Sequence, residues 1–223
     1  MSLVPILAVG ANIAMYVSQL SIIGLLRRAS KAQTSLPLLP SLASFLNSIL
    51  WLKYGFIKHD QAISLVNSLG TLIALYILGC FWWYDSQARR TVETRCLLTF
   101  VCAIGLIGYV DYAEDEGAKD VFGLVCCGVT LLFLGAPLGQ IGNVVRLRDA
   151  SVLLPGVAVL AFSNNVLWGL YGHMHQDVFM VVPNVIGGVL CAVQLGLIAK
   201  YGRAAAKLPP VAVVGGSIPM TQL

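Results

Sequence analysis

The sequence predicts an all-α polytopic membrane protein, with seven transmembrane helices arranged as two parallel three-helix bundles joined by a linker helix, in a 3+1+3 order. Three observations lead there. The chain of 223 residues is 58% hydrophobic and only 11% charged, with a mean hydropathy of +0.83; a soluble fold of that composition would expose large apolar patches and aggregate. It contains seven apolar stretches of the roughly 20 residues a helix needs to cross a ~30 Å hydrocarbon core. And one block of residues occurs twice, 117 positions apart.

The seven stretches are 3–26, 37–56, 61–84, 96–112, 121–144, 153–172 and 178–199. The first lacks a basic leader region and a small-residue cleavage site and has the length of a full span, so it reads as a retained helix. The next two are separated by the polar run Ile57 to Asp60, the fifth and sixth by Arg146 to Ser151, and the last two by His173 to Asp177. After Tyr201 the chain turns to Pro, Gly and Ser, and 204–223 is expected to be a disordered cytosolic tail.

Charge orients the spans. Arg27, Arg28 and Lys31, then Arg89, Arg90 and Arg95, then Arg146 and Arg148, then Lys200, Arg203 and Lys207 would share one side, which thereby holds 11 of the 14 basic residues. By the positive-inside rule that side is cytosolic. Asp60, Asp111, Glu114, Asp115, Glu116, Asp120 and Asp177 collect on the other side, seven of the ten acids. The amino terminus is then outside or luminal and the carboxyl terminus cytosolic, as an odd number of spans requires.

The duplication organises the chain. Asn47, Leu50, Trp51, Tyr54, Gly55, Asp60, Asn67 and Gly70 recur as Asn164, Leu167, Trp168, Tyr171, Gly172, Asp177, Asn184 and Gly187. A three-helix unit ends on the side opposite to where it began, so an extra crossing is needed for the second unit to start as the first did. Residues 1–84 thus form the first repeat, 85–119 the linker helix region and 120–203 the second repeat. Repeats in a membrane protein commonly flank a central pathway.

Residue chemistry at the duplicated positions points to a polar, ring-shaped solute. Asn47 and Trp51 are four apart and share a helix face, as Asn67 and Gly70 do at a spacing of three; Asn164/Trp168 and Asn184/Gly187 repeat the pattern. If those faces turn inward, amides and indoles meet across a pseudo-twofold axis, offering hydroxyl partners and flat apolar surface together. A single Trp near a helix end commonly anchors at the interface, and a single buried Asn commonly bonds a neighbouring helix. Neither role requires both residues at matched spacing twice.

The string Asn47-x-x-Leu50-Trp51-x-x-Tyr54-Gly55, with Lys58-x-Asp60 and Asn67-x-x-Gly70, and Ala136-Pro137-Leu138 and Pro183-Asn184-x-x-Gly187 in the second half, resembles the SWEET sugar transporters from about residue 4 to Tyr201. The resemblance implies a facilitative sugar uniporter of seven spans, working by alternating access, with parallel repeats about an axis along the membrane normal. It implies substrate contacts from Asn67 and Asn184, ring packing on Trp168 and Trp51, and further contacts from Thr130 and Phe133 and, by symmetry, Asn12 and Met15. The bulk of Met15 and Phe133 favours a monosaccharide such as glucose over a disaccharide. Hinges are implied at Pro40 or Pro37, Pro137 and Pro155, with Gln19, or Ser18 in a slipped register, standing where a fourth proline would fall. An outer gate is implied at Tyr54, Tyr171, Asp177 and Lys58. Members of the family form trimers, so a homo-oligomer is a further expected partner beside the sugar and the lipid bilayer.

Away from their ends the seven stretches contain no Asp, Glu, Arg or His, and Lys53 lies near an outer end, where it can snorkel. Proton-coupled carriers use intramembrane carboxylates or histidines as relays, so passive transport down the solute gradient is the economical reading. The six cysteines show no metal spacing, and phosphate-loop, nucleophile and zinc-helix motifs are missing, which predicts no metal, no cofactor, no nucleic-acid partner and no enzymatic activity. The membrane is a plasma membrane or an endomembrane. Two alternatives share the composition: a carrier for another small polar solute, and a seven-helix receptor, which has no reason to contain a tandem repeat.

Overall fold

The computed structural model describes residues 3–32, 36–85, 89–113, 116–133 and 135–205. The expected tail 204–223 therefore lies, beyond Ala205, outside the described residues. Nine helical segments make up this part of the chain: α1 (Leu3–Gln19), α2 (Ser21–Ala32), α3 (Leu39–Ile57), α4 (Gln61–Tyr84), α5 (Arg89–Ala113), α6 (Glu116–Phe133), α7 (Gly135–Leu147), α8 (Pro155–Met174) and α9 (Val178–Ala205). Helices α1 and α2 correspond to the first expected span and α6 and α7 to the fifth, so the seven expected rods are present, the first of them interrupted at Leu20.

This interruption falls beside Gln19. No proline is needed for it. The Ser18 hydroxyl donates back to the Met15 carbonyl at 2.7 Å, and the amides of Leu20 and Ile23 bond three residues back, to Val17 and Leu20, at 3.1 Å each; this tightened turn is a common way for a helix to change direction. In the second repeat the described part of α6 runs to Phe133 and that of α7 from Gly135, and Pro137 lies in α7.

Pro40 and Pro155, two of the implied hinge residues, stand at helix starts. Both sit in the opening turn of their helix, Pro40 as the second residue of α3 and Pro155 as the first of α8. They start helices without removing a bond from one. The proline inside a described helix is Pro183 of α9, next to Asn184.

Five of the rods are long and apolar enough to cross a membrane by length and composition: Leu3–Lys31, Gln61–Tyr84, Arg89–Ala113, Gly117–Leu147 and Val178–Gly202. Helices α3 and α8 fall short because they carry Asn47, Ser48 and Lys53, and Asn164 and Asn165. They are the two that furnish the repeated Asn-x-x-x-Trp face. Lys53 does more than snorkel, since its ammonium pairs with Asp111 of α5.

Within each repeat the third rod lies between the other two: α4 packs closely on both α1 and α3, and α9 on both α6 and α8, while α1 reaches α3 through side chains, Tyr16 to Ser48 and Gln19 to Ser44. Across the pseudo-twofold, α1 packs on α8 and, symmetrically, α6 on α3; the linker α5 lies against α3, α4 and α6. Helices α2 and α7 behave differently. Among the described residues the α2 backbone comes close only to α1 and α4, and the α7 backbone only to α6 and α9, so neither helix packs on the opposite repeat.

The repeated glycines are positions of close approach. A Cβ on Gly55 would lie 2.7 Å from Ser64 Oγ and 2.9 Å from its backbone nitrogen, and one on Gly172 would lie 2.8 Å from Met180 Cβ. On Gly70 it would strike the Tyr16 ring and on Gly187 the Asn165 amide, each at 2.3 Å. Glycine at these four sites lets each second helix lie tight on the third and leaves room for Tyr16 and Asn165.

Candidate functional site

The α3–α4 and α8–α9 connections are built alike and lie at one end of the molecule, here termed the turn face. Helix α3 ends with Lys58 and α8 with His175 as C-caps, whose amides bond the carbonyls of Tyr54 and Tyr171 at 2.9 and 3.1 Å. The next residues, His59 and Gln176, adopt φ of 53° and 54°, and the amides of Asp60 and Asp177 reach back to Gly55 and Gly172 at 2.9 and 2.8 Å. This is a left-handed helix stop of the Schellman type, and it aims both aspartates at the start of the following helix. Asp60 Oδ1 accepts from the Ile63 amide at 3.0 Å, and Asp177 Oδ1 from the Met180 amide at 3.3 Å, each capping its helix.

The second carboxylate oxygen of each aspartate crosses to the other repeat. The buried Tyr54 hydroxyl donates to Asp177 Oδ2 at 2.8 Å, and the Tyr171 hydroxyl donates to Asp60 Oδ2 at 2.7 Å. The repeats are thus latched at the turn face by two reciprocal, charge-assisted bonds. Tyr54, Tyr171 and Asp177, named as gate residues from the resemblance, lie together here, and Lys58 lies with its ammonium 5.5 Å over the Tyr54 ring. Asp60 was the missed member. Its duplication as Asp177 was the signal that marks it.

One layer deeper, Trp51 meets Tyr54 edge-on with ring centroids 5.2 Å apart, and Trp168 meets Tyr171 the same way at 5.3 Å. Beneath the tryptophans a cavity of about 180 Å³ lies between the repeats. Its walls are Asn12 and Tyr16 of α1; Asn47 and Trp51 of α3; Ile63, Val66 and Asn67 of α4; Thr130 of α6; Asn164, Asn165 and Trp168 of α8; and Met180, Pro183 and Asn184 of α9. The linker α5 contributes nothing to this lining. Asn67 and Asn184 each spend their amide NH₂ on the carbonyl four residues back, Ile63 at 2.9 Å and Met180 at 2.8 Å.

Of the eight expected substrate contacts, Asn12, Trp51, Asn67, Thr130, Trp168 and Asn184 line the cavity, whereas Met15 and Phe133 are absent from its lining. Met15 lies below it on α1, where its carbonyl holds Ser18, and Phe133 closes α6. Of the expected hinge residues, Gln19 accepts a bond from the Ser44 hydroxyl at 3.2 Å. Tyr16 and Asn165 were not singled out by sequence. Tyr16 bonds Ser48 at 3.2 Å, and Asn165 donates to the Ala161 carbonyl at 2.8 Å; both lie beside a repeated glycine, which was the available clue.

The two halves of the cavity are not equivalent. In the first repeat, Thr130 reaches across from the second: its hydroxyl accepts from Trp51 Nε1 at 2.9 Å and lies 2.8 Å from Asn47 Oδ1 and 2.9 Å from the Cys126 carbonyl, to which it can donate one proton at a time. No side chain does this for the counterparts. Among the described residues Trp168 Nε1 and Asn164 Oδ1 are the buried side-chain polar atoms with no partner, a donor and an acceptor beside one cavity. Unmatched buried groups of this kind cost about 1–3 kcal/mol each.

The profile of the family described as "Sugar efflux transporter for intercellular exchange" matches residues 2–89 and, a second time, 120–206. The chain belongs to the SWEET family. It is similar to "Sugar transporter SWEET1" of Drosophila pseudoobscura pseudoobscura, with 27% identity over 164 residues covering 73% of each chain. The mouse protein of that name is 27% identical over 177 residues, 77% of this chain and 78% of the relative. The protein of that name from Caenorhabditis elegans is 30% identical over 158 residues, 71% of this chain and 52% of the relative. The fold resembles that of a eukaryotic SWEET transporter structure at 3.7 Å, with a TM-score of 0.78, 23% identity, and 91% of this chain and 100% of that one covered. With the helix arrangement, these likenesses establish the 3+1+3 fold of a multi-pass SWEET protein.

Proposed function

We propose that this SWEET protein is a facilitative carrier for a monosaccharide such as glucose, moving it in either direction by alternating access. The observation that carries the reading is the unpaired Trp168 Nε1 and Asn164 Oδ1 in a cavity lined by amides and indoles and shut at one end by the Tyr–Asp latches. A sugar hydroxyl donates and accepts at once, and ring faces stack on indoles. The size agrees: cavities of ~150 Å³ hold a six-membered ring, and drug-sized sites run to roughly 300–1,000 Å³, so 180 Å³ suits a single sugar ring.

The charge distribution supports a cytosolic carboxyl terminus and an outside or luminal turn face, in a plasma membrane or endomembrane. Oriented so, the latched face is the outer gate and the α2/α7 end faces the cytosol. The turn at Leu20, with the prolines at 40, 137 and 155, supplies the flexing points. The repeats are taken as 1–84 and 120–203, with 85–119 as linker. Among the described residues the cavity wall holds no Asp, Glu, His, Lys or Arg, and the nearest carboxylates, Asp60 and Asp177, belong to the latch, which favours uniport over proton coupling.

Radiolabelled hexose and sucrose uptake into liposomes, with Asn184→Ala beside the parent protein, tests the reading. Saturable hexose uptake that exceeds sucrose uptake, ignores a pH gradient in its driving force and falls in Asn184→Ala supports it. No sugar flux, or flux unchanged in Asn184→Ala, overturns it.

A further inference from the structure

The two tyrosines that latch the turn face each carry a basic side chain on their ring, and the two differ in one property. Lys58 lies 5.5 Å over Tyr54. Its counterpart 117 positions on is His175, whose imidazole stacks on Tyr171 with centroids 4.1 Å apart and planes inclined by 35°. The backbone frame is the same, since both residues cap their helix and both are followed by a residue in the left-handed region. A lysine ammonium is a fixed cation through the neutral range, whereas an imidazole typically changes charge between pH 5 and 8.

We propose that His175 makes this half of the gate proton-sensitive, so that acidification on the turn face holds the Tyr171–Asp60 latch shut. The inference rests on reading the turn face as a gate. His175 Nδ1 lies 2.9 Å from the Tyr171 carbonyl, to which its N–H donates, so an incoming proton goes to Nε2. A cation then sits over the Tyr171 ring. It draws electron density from the phenol, making the hydroxyl a stronger donor to Asp60, and it attracts the Asp60 carboxylate directly.

Other charged and titratable groups share the vestibule. The α3–α4 turn presents Lys58, His59 and Asp60, while α1 contributes only Pro5, Ile6 and Val9. On the helix of His175 itself the neighbour is Tyr171, and Asp177 is engaged by Tyr54. Asp60 is the group that Tyr171 grips across the repeat boundary; Lys58 is drawn toward the other tyrosine. Attraction is therefore the interaction that gate opening would break.

The test is a distance titration on the purified full chain in lipid nanodiscs. Spin labels go on the exposed, symmetry-related positions Phe56→Cys and His173→Cys, with Cys96 and Cys102, the cysteines that are not buried, replaced by Ser. Between pH 8 and pH 5 the ratio of short to long distances is expected to rise about two- to fivefold, the effect of one part-exposed charge pair. His175→Asn should abolish the rise, His175→Lys should give the short distance at every pH, and His59→Gln should leave the rise intact. A flat response with His175 present, or an equal rise in His175→Asn, overturns the proposal. Failure of the sugar reading would appear separately, as absent hexose uptake at every pH, because the distance measurement uses no transport.

Discussion

Tyr54→Phe removes one oxygen from the latch and leaves the ring in place. The hydroxyl donates to Asp177 Oδ2 at 2.8 Å, with Tyr54 fully buried and Asp177 only 9% exposed. A hydrogen bond to a charged group contributes about 1.5–3 kcal/mol. When the turn face opens, water can replace the tyrosine, so this energy belongs to the closed state alone. Its loss should raise the open population roughly tenfold to more than a hundredfold. Val66, a cavity-lining residue only 1% exposed, provides the reporter: as Cys, it reacts with a membrane-impermeant thiol reagent added at the turn face only when that face opens. With fast opening and closing, the labelling rate follows the open population. Mass spectrometry of the modified peptide should show at least a tenfold faster rate in Tyr54→Phe. Tyr171→Phe should act in the same direction but less, because its bond to Asp60 is only part-buried. A Tyr54→Phe rate within twofold of the parent would refute the latch.

Gly187→Ala places a methyl 2.3 Å from Asn165 Oδ1 and should cost about 1–3 kcal/mol through overpacking, seen as a lower Tm in detergent; adding Asn165→Ser, the residue type of its counterpart Ser48, should restore most of the loss. Thr130→Val keeps the shape but strands Trp51 Nε1 and Asn47 Oδ1, so thermal unfolding should show destabilisation of roughly 1–3 kcal/mol, and an unchanged Tm would contradict the cross-repeat bond. Asn184→Ala removes the amide oxygen left after its NH₂ bonds Met180 and should raise the KM for hexose about three- to tenfold, the worth of one hydrogen bond, in liposome uptake. His59→Gly replaces a side chain held at φ 53° and should stabilise the protein by about 0.5–1 kcal/mol at most, read as a slightly higher Tm, since glycine reaches that region without strain.

The expected spans were readable because hydrophobic length is a local property. The α4 span matches its expected bounds at both ends, 61–84, where Asp60 caps the start. Expected span 3–26 missed its interruption, since the turn at Leu20 is made by i to i−3 bonds and a serine back-bond that no strong breaker residue announces. Helix α5 starts at Arg89, earlier than its expected bound, because charged side chains beyond the hydrocarbon region continue a helix as readily as they end it.

By itself the sequence determined the lipid solvent, the two copies of the motif and the residue types at the centre, because composition and a 117-residue repeat are written in one dimension. It also marked Asn67, Asn184, Trp51 and Trp168, whose spacing on a helix settles which face they share. Only the tertiary structure decided which side chain meets which across the repeats. Tyr54 with Asp177 and Tyr171 with Asp60 are 123 and 111 residues apart, and the difference between a Trp51 satisfied by Thr130 and a Trp168 left open arises where two nearly equal halves come into contact. Pairing of that kind depends on three-dimensional packing between distant segments, which periodicity along a chain does not encode.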